Sequence, residues 1–525
     1  MRSNGRSRIV NDIHGALELM QSQYFELWIG GWPSAIDWTA AVMNTHVSSS
    51  LATLSRILQT SDSPSAVELD SSSRIEDHIS TYFEHNLAFY FGENAFALRN
   101  EAFDDMLWVV LGWLESIKFV VQHDSSRYRE KSYRQWHGSQ FTPAFAHRAR
   151  IFYNLASRGW DTRLCGGGMN WNPRLTPYKN AITNQLFISA SVGMYLYFPG
   201  DTNSSPYMVA NTSAHGLNPA PAHDPKYLQA AVDGYAWLNS SNMTNVMGLY
   251  VDGYHIKDWS SHNRTGTGNC DERNEMIYTY NQGVILSGLR GLWESTGDAR
   301  YLEDGHQLVQ NVLKATGWDF DHDQVLDNDK YDSNNTDWAG LGRAGILEEL
   351  CDHAGKCSQD AQTFKGIYFL HLTQFCEPLP VKRPLVPGKT HVADKALASL
   401  HRHSCRAYGK WVDHNARAAL KTRNSHGLFG NWWGHREGLR DLSVELPRGA
   451  VDYRNDASLL DMKDWSAGAE SVPVLADDAT GQQNGDGRSD SGTEDVNDRG
   501  RGRTVETQGG GLAVLRASWE LSHIL

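Results

Sequence analysis

The chain has 525 residues, 48 Lys and Arg against 61 Asp and Glu, a net charge of −13 and 40% hydrophobic residues. That length supports one large domain or two ordinary ones with a sizeable core. An acidic balance without a dense Lys/Arg stripe excludes a nucleic-acid partner, because phosphates demand a concentrated basic surface. The longest strongly apolar run, MLWVVLGWL at residues 106–114, is half the length of a membrane-crossing helix, so no transmembrane span is expected.

The chain opens on MRSNGRSRIVNDIHGALEL. Asn, Asp, His and Glu interrupt the place where a signal peptide needs an unbroken apolar core, so no leader is expected and residues 1–33 read as an N-terminal extension. Helical period then dominates: apolar residues recur at three and four over residues 35–58, 99–122, 144–158, 178–196, 225–239, 277–296, 299–315, 361–375, 394–420 and 506–523. In TGDARYL, Gly297 can close one helix in the left-handed conformation and Asp298 can cap the next, which predicts an antiparallel pair. The absence of a fixed-period repeat disfavours an open superhelix. In residues 99–122, Phe103, Leu107, Val110, Leu114, Ile117 and Val121 form one stripe, while Trp108, Val109, Trp113 and Phe119 make the other side apolar too. A helix hydrophobic all round is buried all round, which fits the inner layer of a two-layer helical barrel.

The predicted class is therefore all-α, a barrel of helical hairpins over residues 34–436. LPVKRPLVPGKT, at 379–390, reads as a surface excursion built on prolines. Residues 437–505, rich in Gly, Asp, Ser and Arg, read as a long disordered insertion, and residues 506–525 return as the final barrel helix. Six cysteines (Cys165, Cys270, Cys351, Cys357, Cys376, Cys405) allow fifteen full pairings, of which the short Cys351 to Cys357 loop is the favoured bridge. Six Asn-x-Ser/Thr sequons, at Asn203, Asn211, Asn239, Asn242, Asn263 and Asn334, lean towards a secretory product.

The sharpest chemical candidate is Asp104 with Asp105. Adjacent residues on a helix project about 100° apart, so two carboxyl groups can flank one bond at about 5 to 6 Å, the range for a retaining glycosidase. The competing reading is a pair of acids complementing the dipole of a first helical turn. In CGGGMNWNPRLTPYKNAITNQLF, Trp171 with Asn172 offers a stacking face beside an amide, and Asn180 and Asn184 lie one turn apart. Loop glycines and capping amides explain the same residues. Tyr280, Asn281 and Gln282 begin a later helix, preceded by Asp252, and Lys365 stands in TFKGIYF. His401, His403 and Cys405 lack the second half of a zinc motif, so neither metal nor other cofactor is expected.

The stretches FDDMLWVVLGWLE, CGGGMNWNP with YKNAITNQLFI, TYNQGVILSGL with TGDARYL, QTFKGIYF, GLFGNWW and QGGGLAVLRA resemble glycoside hydrolase family 76, the α-1,6-mannanase family, in its fungal branch. The resemblance covers roughly residues 35–435 and the last twenty. It implies an (α/α)6 barrel, with Asp104 as nucleophile and Asp105 as acid/base. It also implies a cleft lined by Trp171, Asn180, Asn184, Asp252, Tyr280, Asn281, Gln282 and Lys365. The implied activity is retaining, endo-acting hydrolysis of α-1,6-linked mannan by a monomer at the cell wall or outside the cell. Transglycosylation on wall glycans and a catalytically silent mannan-binding wall protein are the alternatives, with a helical scaffold for protein partners behind them.

Overall fold

The computed structural model describes residues 2–60, 66–129, 134–202, 219–326, 338–435, 444–455 and 495–523. Twelve long helices stand out among them: α1 (Arg2–Gln23), α2 (Asp37–Thr60), α3 (Ala66–Gly92), α4 (Phe103–His123), α5 (Thr142–Ala156), α6 (Ala181–Tyr197), α7 (Pro225–Ser240), α8 (Tyr280–Thr296), α9 (Arg300–Ala315), α10 (Gln359–Phe375), α11 (Lys395–Lys421) and α12 (Val505–His523). Helices α2, α4, α6, α8, α10 and α12 each pack on the next, and α12 returns onto α2 to close an inner ring. The other six lie outside: α1 and α11 on α12, α3 on α2, α5 on α4, α7 on α6 and α9 on α8. This is an (α/α)6 barrel.

Which ring a helix joins follows from its apolar pattern. Every residue of α6 from Ala181 to Leu196 is buried, as is every residue of α12 from Val505 to Leu521, because inner helices have neighbours on all sides. Outer α9 buries a single stripe, Leu302, Gly305, Leu308, Val309, Val312 and Leu313. Small residues let the inner helices close up: a Cβ on Gly366 of α10 would meet the Gly510 Cα of α12 at 2.9 Å. The helix ends carry their expected signals. Ser358 accepts the Ala361 N–H at 3.2 Å ahead of α10, and Gly297, at φ 76°, ends α8 in the left-handed conformation. Asp298 accepts the Arg300 N–H at 3.1 Å as α9 begins. Helix α4 is buried on both sides as expected, except that Val121 near its end is exposed.

Three expectations need correction. The stretch expected as an N-terminal extension holds α1, whose Ile13, Leu17 and Met20 are buried at spacings of four and three, so it belongs to the outer ring. Helix α3 has no counterpart among the periodic segments, yet it docks through Ile79, Tyr82, Phe83, Asn86 and Phe89. The insertion expected over 437–505 is narrower. Residues 436–443 and 456–494 lie outside the described residues, but residues 444–455 and 495–505 are packed. Asn274 and Val451 exchange two hydrogen bonds at 2.8 and 2.9 Å, Tyr278 donates to Asp452 at 2.7 Å, and the Trp432 N–H donates to Asn497 at 2.8 Å.

A three-stranded antiparallel sheet, Tyr178–Asn180, Gly253–His255 and Glu272–Asn274 in that order, lies beside the inner-helix N-termini and sets Asn180 opposite Gly253 and Gly253 opposite Asn274. All six cysteines are paired, Cys165–Cys270, Cys351–Cys357 and Cys376–Cys405, the favoured bridge among them. Among the described residues no helix is long and apolar enough to cross a membrane.

Candidate active site

Inner and outer helices alternate along the chain, so the inner helices run parallel and begin at one mouth of the barrel. Six N-terminal dipoles therefore converge there and favour negative charge. The acids follow: Asp37 opens α2, Asp104 and Asp105 open α4, Asp360 opens α10, and Asp252 enters from the turn before its strand.

Asp104 is buried, and its Oδ1 has no hydrogen-bond partner among the described residues. Its Oδ2 lies 3.8 Å from the Arg454 guanidinium. Burial pushes the Asp104 carboxyl up to about 6, and Arg454 opposes that rise. Asp105 is only partly buried by its neighbours' atoms, and its Oδ2 accepts the Ala102 N–H at 3.0 Å, so it does cap the helix as the bland reading holds. Desolvation, then the charges of Asp104 and Glu101, hold its carboxyl well above the ordinary range. The two aspartates thus share a site and differ in partner: the cation serves Asp104 first, and the crowding of acids falls on Asp105.

Arg454 is the centre of charge at this mouth. Asp104, Asp252, Asp360 and Tyr280 surround it, and its guanidinium stands 5.1 Å over the Trp171 ring. Trp171 also fixes how α4 starts, since its carbonyl accepts the Phe103 N–H at 2.8 Å. Asp252 is buried and accepts from Tyr178 Oη at 2.5 Å and from Asn281 Nδ2 at 3.5 Å. Burial raises its carboxyl as well. Tyr280 stacks on Phe364 with ring centroids 3.8 Å apart. Its hydroxyl, Asn281 Oδ1 and Asn180 Nδ2 are buried without partners among the described residues. Each such atom costs about 1–3 kcal/mol unless something hydrogen-bonds to it, so these atoms are suited to meet the hydroxyls of a sugar.

Not every expected cleft residue faces that centre. Asn180 accepts the Thr183 N–H at 3.3 Å and caps α6. Asn184 is spent on the Met169 backbone, accepting its N–H at 2.7 Å and donating to its carbonyl at 3.2 Å. Gln282 likewise holds Tyr250, at 2.8 and 2.9 Å. Lys365 is buried with Asp352 at 2.7 Å and Asn431 at 3.3 Å, beside Glu348 and Glu349, in a separate cluster. Asn184 and Gln282 thus hold backbone beside the site, and Lys365 stands apart from it. Sequence reasoning missed Arg454, Asp360, Tyr178 and Trp38, whose Nε1 donates to Asp360 at 3.1 Å and whose ring stacks on Trp108. Asp360 had a signal, since it stands in the first turn after a Ser cap as Asp104 stands in its own first turn. His401 and Cys405 do meet His306, but the Cys405 sulfur is bonded to Cys376, and His403 is exposed.

A closed double ring of helices with acids gathered where its inner helices begin is an architecture shared with glycoside hydrolases built as (α/α)6 barrels. The sequence profile described as Glycosyl hydrolase family 76 matches residues 130–213 and 220–421, just over half of the chain, and the chain belongs to that family. The matched stretch begins after Asp104 and Asp105. The chain is similar to mannan endo-1,6-alpha-mannosidase DFG5 of Saccharomyces cerevisiae, 24% identical over 247 residues that make up 45% of this chain and 41% of that one. It is also similar to mannan endo-1,6-alpha-mannosidase DCW1 of the same yeast, 22% identical over 46% of this chain and 42% of that one. It therefore spans less than half the length of these curated relatives. Among solved structures, Dfg5 from Chaetomium thermophilum in complex with glucosamine aligns with a TM-score of 0.53 and 14% identity over 98% of this chain and 90% of that chain, a likeness of fold.

Proposed function

We propose that this protein is a retaining, endo-acting hydrolase of α-1,6-linked mannan, with Asp104 as nucleophile and Asp105 as acid and then base. The observation that carries the reading is the unequal environment of two adjacent acids, Asp104 buried and Asp105 partly buried. Arg454 and the helix N-terminus favour the ionised form of Asp104, which must attack the anomeric carbon. Asp105, raised first by desolvation and then by the charges of Asp104 and Glu101, keeps the proton that the leaving oxygen requires. After the glycosyl ester forms, Asp104 is neutral, the repulsion on Asp105 falls, and Asp105 can take a proton from water. The partnerless atoms of Tyr280, Asn180 and Asn281 then serve substrate hydroxyls, and Trp171 offers a ring face. Membership of the family and the names of the yeast relatives support mannan as the substrate.

Incubation with linear α-1,6-mannan, read by mass spectrometry and by NMR of the first-formed anomer, tests this. Shortened chains with retained configuration are expected, whereas inversion overturns the assignment and products lengthened by a sugar acceptor would mark a transferase. We place the protein in the secretory route to the cell wall or exterior. Its three disulfides and the exposed sequon residues Asn239, Asn242 and Asn263 support that placement, while Asn203, Asn211 and Asn334 lie outside the described residues.

A further inference from the structure

Beside the aspartates runs an open groove of about 600 Å³, whose lining begins at Phe103, the neighbour of Asp104, and includes Asn170 and Asn172 on either side of Trp171. Its charge is out of character for a chain of net charge −13. Arg158, Arg163 and Arg264 line it, and Asp161 is the acid among them. Asp161 is spent on Arg163, whose Nε it holds at 3.1 Å, and burial of Lys179 beneath it adds another cation that donates to the Asp161 and Gly168 carbonyls at 3.0 and 2.6 Å. Arg158 and Arg264 are exposed and form no ion pair among the described residues. Trp259 in the same lining keeps its Nε1 without a partner among the described residues.

The groove is held in shape. Arg158 and Arg163 come from one chain segment and Arg264 from another, and the Cys165–Cys270 disulfide with the Cys165 N–H to Gly268 bond at 2.8 Å fastens the two segments together. Asn263 presents Arg264 by accepting the N–H groups of Ser260, Thr265 and Gly266 at 3.1 to 3.3 Å. Free guanidinium groups from two fastened segments lining one groove suit an anionic oxygen group, while a tryptophan edge suits the sugar that carries it. We propose that this groove binds an anionic substituent on the glycan, a phosphate ester or a carboxylate, so that the substrate is an acidic mannan. The proposal rests on the mannan reading above.

The test compares three α-1,6-mannooligosaccharides of equal length: neutral, mannosyl-phosphorylated and uronate-bearing. Exposed ion pairs are worth up to about fivefold each, so wild type should favour an acidic substrate by about tenfold in kcat/KM at low ionic strength, and 0.5 M NaCl should shrink that preference. The arm that shows the larger ratio identifies the substituent. Arg158→Gln with Arg264→Gln should bring the ratio towards one, and the Lys pair at these positions should restore most of it. Equal use of all three substrates by wild type, or a ratio unchanged in the Gln double variant, overturns the proposal. If none is cleaved, the mannanase reading fails, and calorimetric binding of the same three compounds decides the groove separately: tighter binding of an acidic compound, lost in the double variant, supports it, and equal binding refutes it.

Discussion

The two ends of the barrel treat charge in opposite ways. At the mouth, Asp104, Asp105, Asp252 and Asp360 gather near Arg454, Asp37 and Glu101 stand beside one another next to Asp104, and the carboxyl groups of all six are raised. At the far end, where the inner helices finish, cations and anions are matched. Arg56 pairs with Glu520, Lys118 with Glu115 at 3.0 Å, and Arg290 with Glu294 at 2.9 Å. Glu377 is held below the ordinary range by Lys118, Arg56, Arg290 and Arg516. Cations beside helix C-termini and acids beside N-termini both agree with the dipoles, so the dipole is not the difference. Neutrality is. The far end encloses a cavity of about 60 Å³, with no room for a sugar ring, and Arg56, Lys118, Arg290 and Arg516 there are balanced in number by Glu115, Glu294, Glu377 and Glu520. The mouth keeps an excess of acid that raises the free energy of the folded state and leaves groups ready for chemistry.

Replacing acids one by one should break this contrast. Asp104→Asn should lower mannan hydrolysis by roughly 10³-fold or more, since the proposed nucleophile is gone. It should also stabilise the fold. A carboxyl at about 6 in the folded chain, against an ordinary value near 3.8, costs nothing below pH 4, and the cost grows as pH rises to about 6 and then stays. Calorimetry should therefore show Tm raised by about 1–3 °C at pH 7.5 and unchanged at pH 3.5. Asp105→Asn should cost about 10²- to 10⁴-fold on mannan. An aryl mannoside with a good leaving group should still form the intermediate, which then accumulates and can be seen as a mass shift on the intact protein.

Arg454→Gln probes the cation that Asp104, Asp105, Asp252 and Asp360 share. Activity near pH 6 should fall by about tenfold, and the acidic limb of the kcat/KM profile should move upward, because Asp104 loses the charge that favours its ionised form. A lower rate with an unmoved limb would make Arg454 a packing residue only. The smallest effect belongs to the far end. Glu377 has a depressed folded-state pKa, so its contribution is present above about 4.5 and is lost as pH falls through the folded value. Glu377→Gln should lower Tm by about 1–2 °C at pH 7.5, do nothing at pH 3, and leave mannan turnover as it was.

Arg454 also marks where sequence reading stops. The inner helices were legible because a segment apolar on both sides has few other homes, and Asp104 with Asp105 drew notice by opening such a segment. Helices α1 and α3 were not, since each buries only one stripe and surrounds it with Ser, Asn, Asp and Glu. Arg454 sits in a stretch whose composition reads as unstructured, and its partners come from α4, α10 and the sheet, so no local spacing reveals it. Asn184, Gln282 and Lys365 show the reverse difficulty. An amide that satisfies a backbone and one that meets a sugar are the same letter until the neighbours are known.

The closure of the inner ring by α12 has a cost in time. During synthesis the first inner helix emerges early, and its last neighbour is made only at residues 505–523. At about 5–20 residues per second, the nascent chain carries an open, apolar arc for roughly half a minute to a minute and a half before the ring can shut. Contacts of such sequence separation also slow folding itself. A ribosome that stalls before α12 leaves a chain with nearly all of its helices and a hydrophobic seam along α2 and α10, a form suited to chaperones and to aggregation rather than to catalysis.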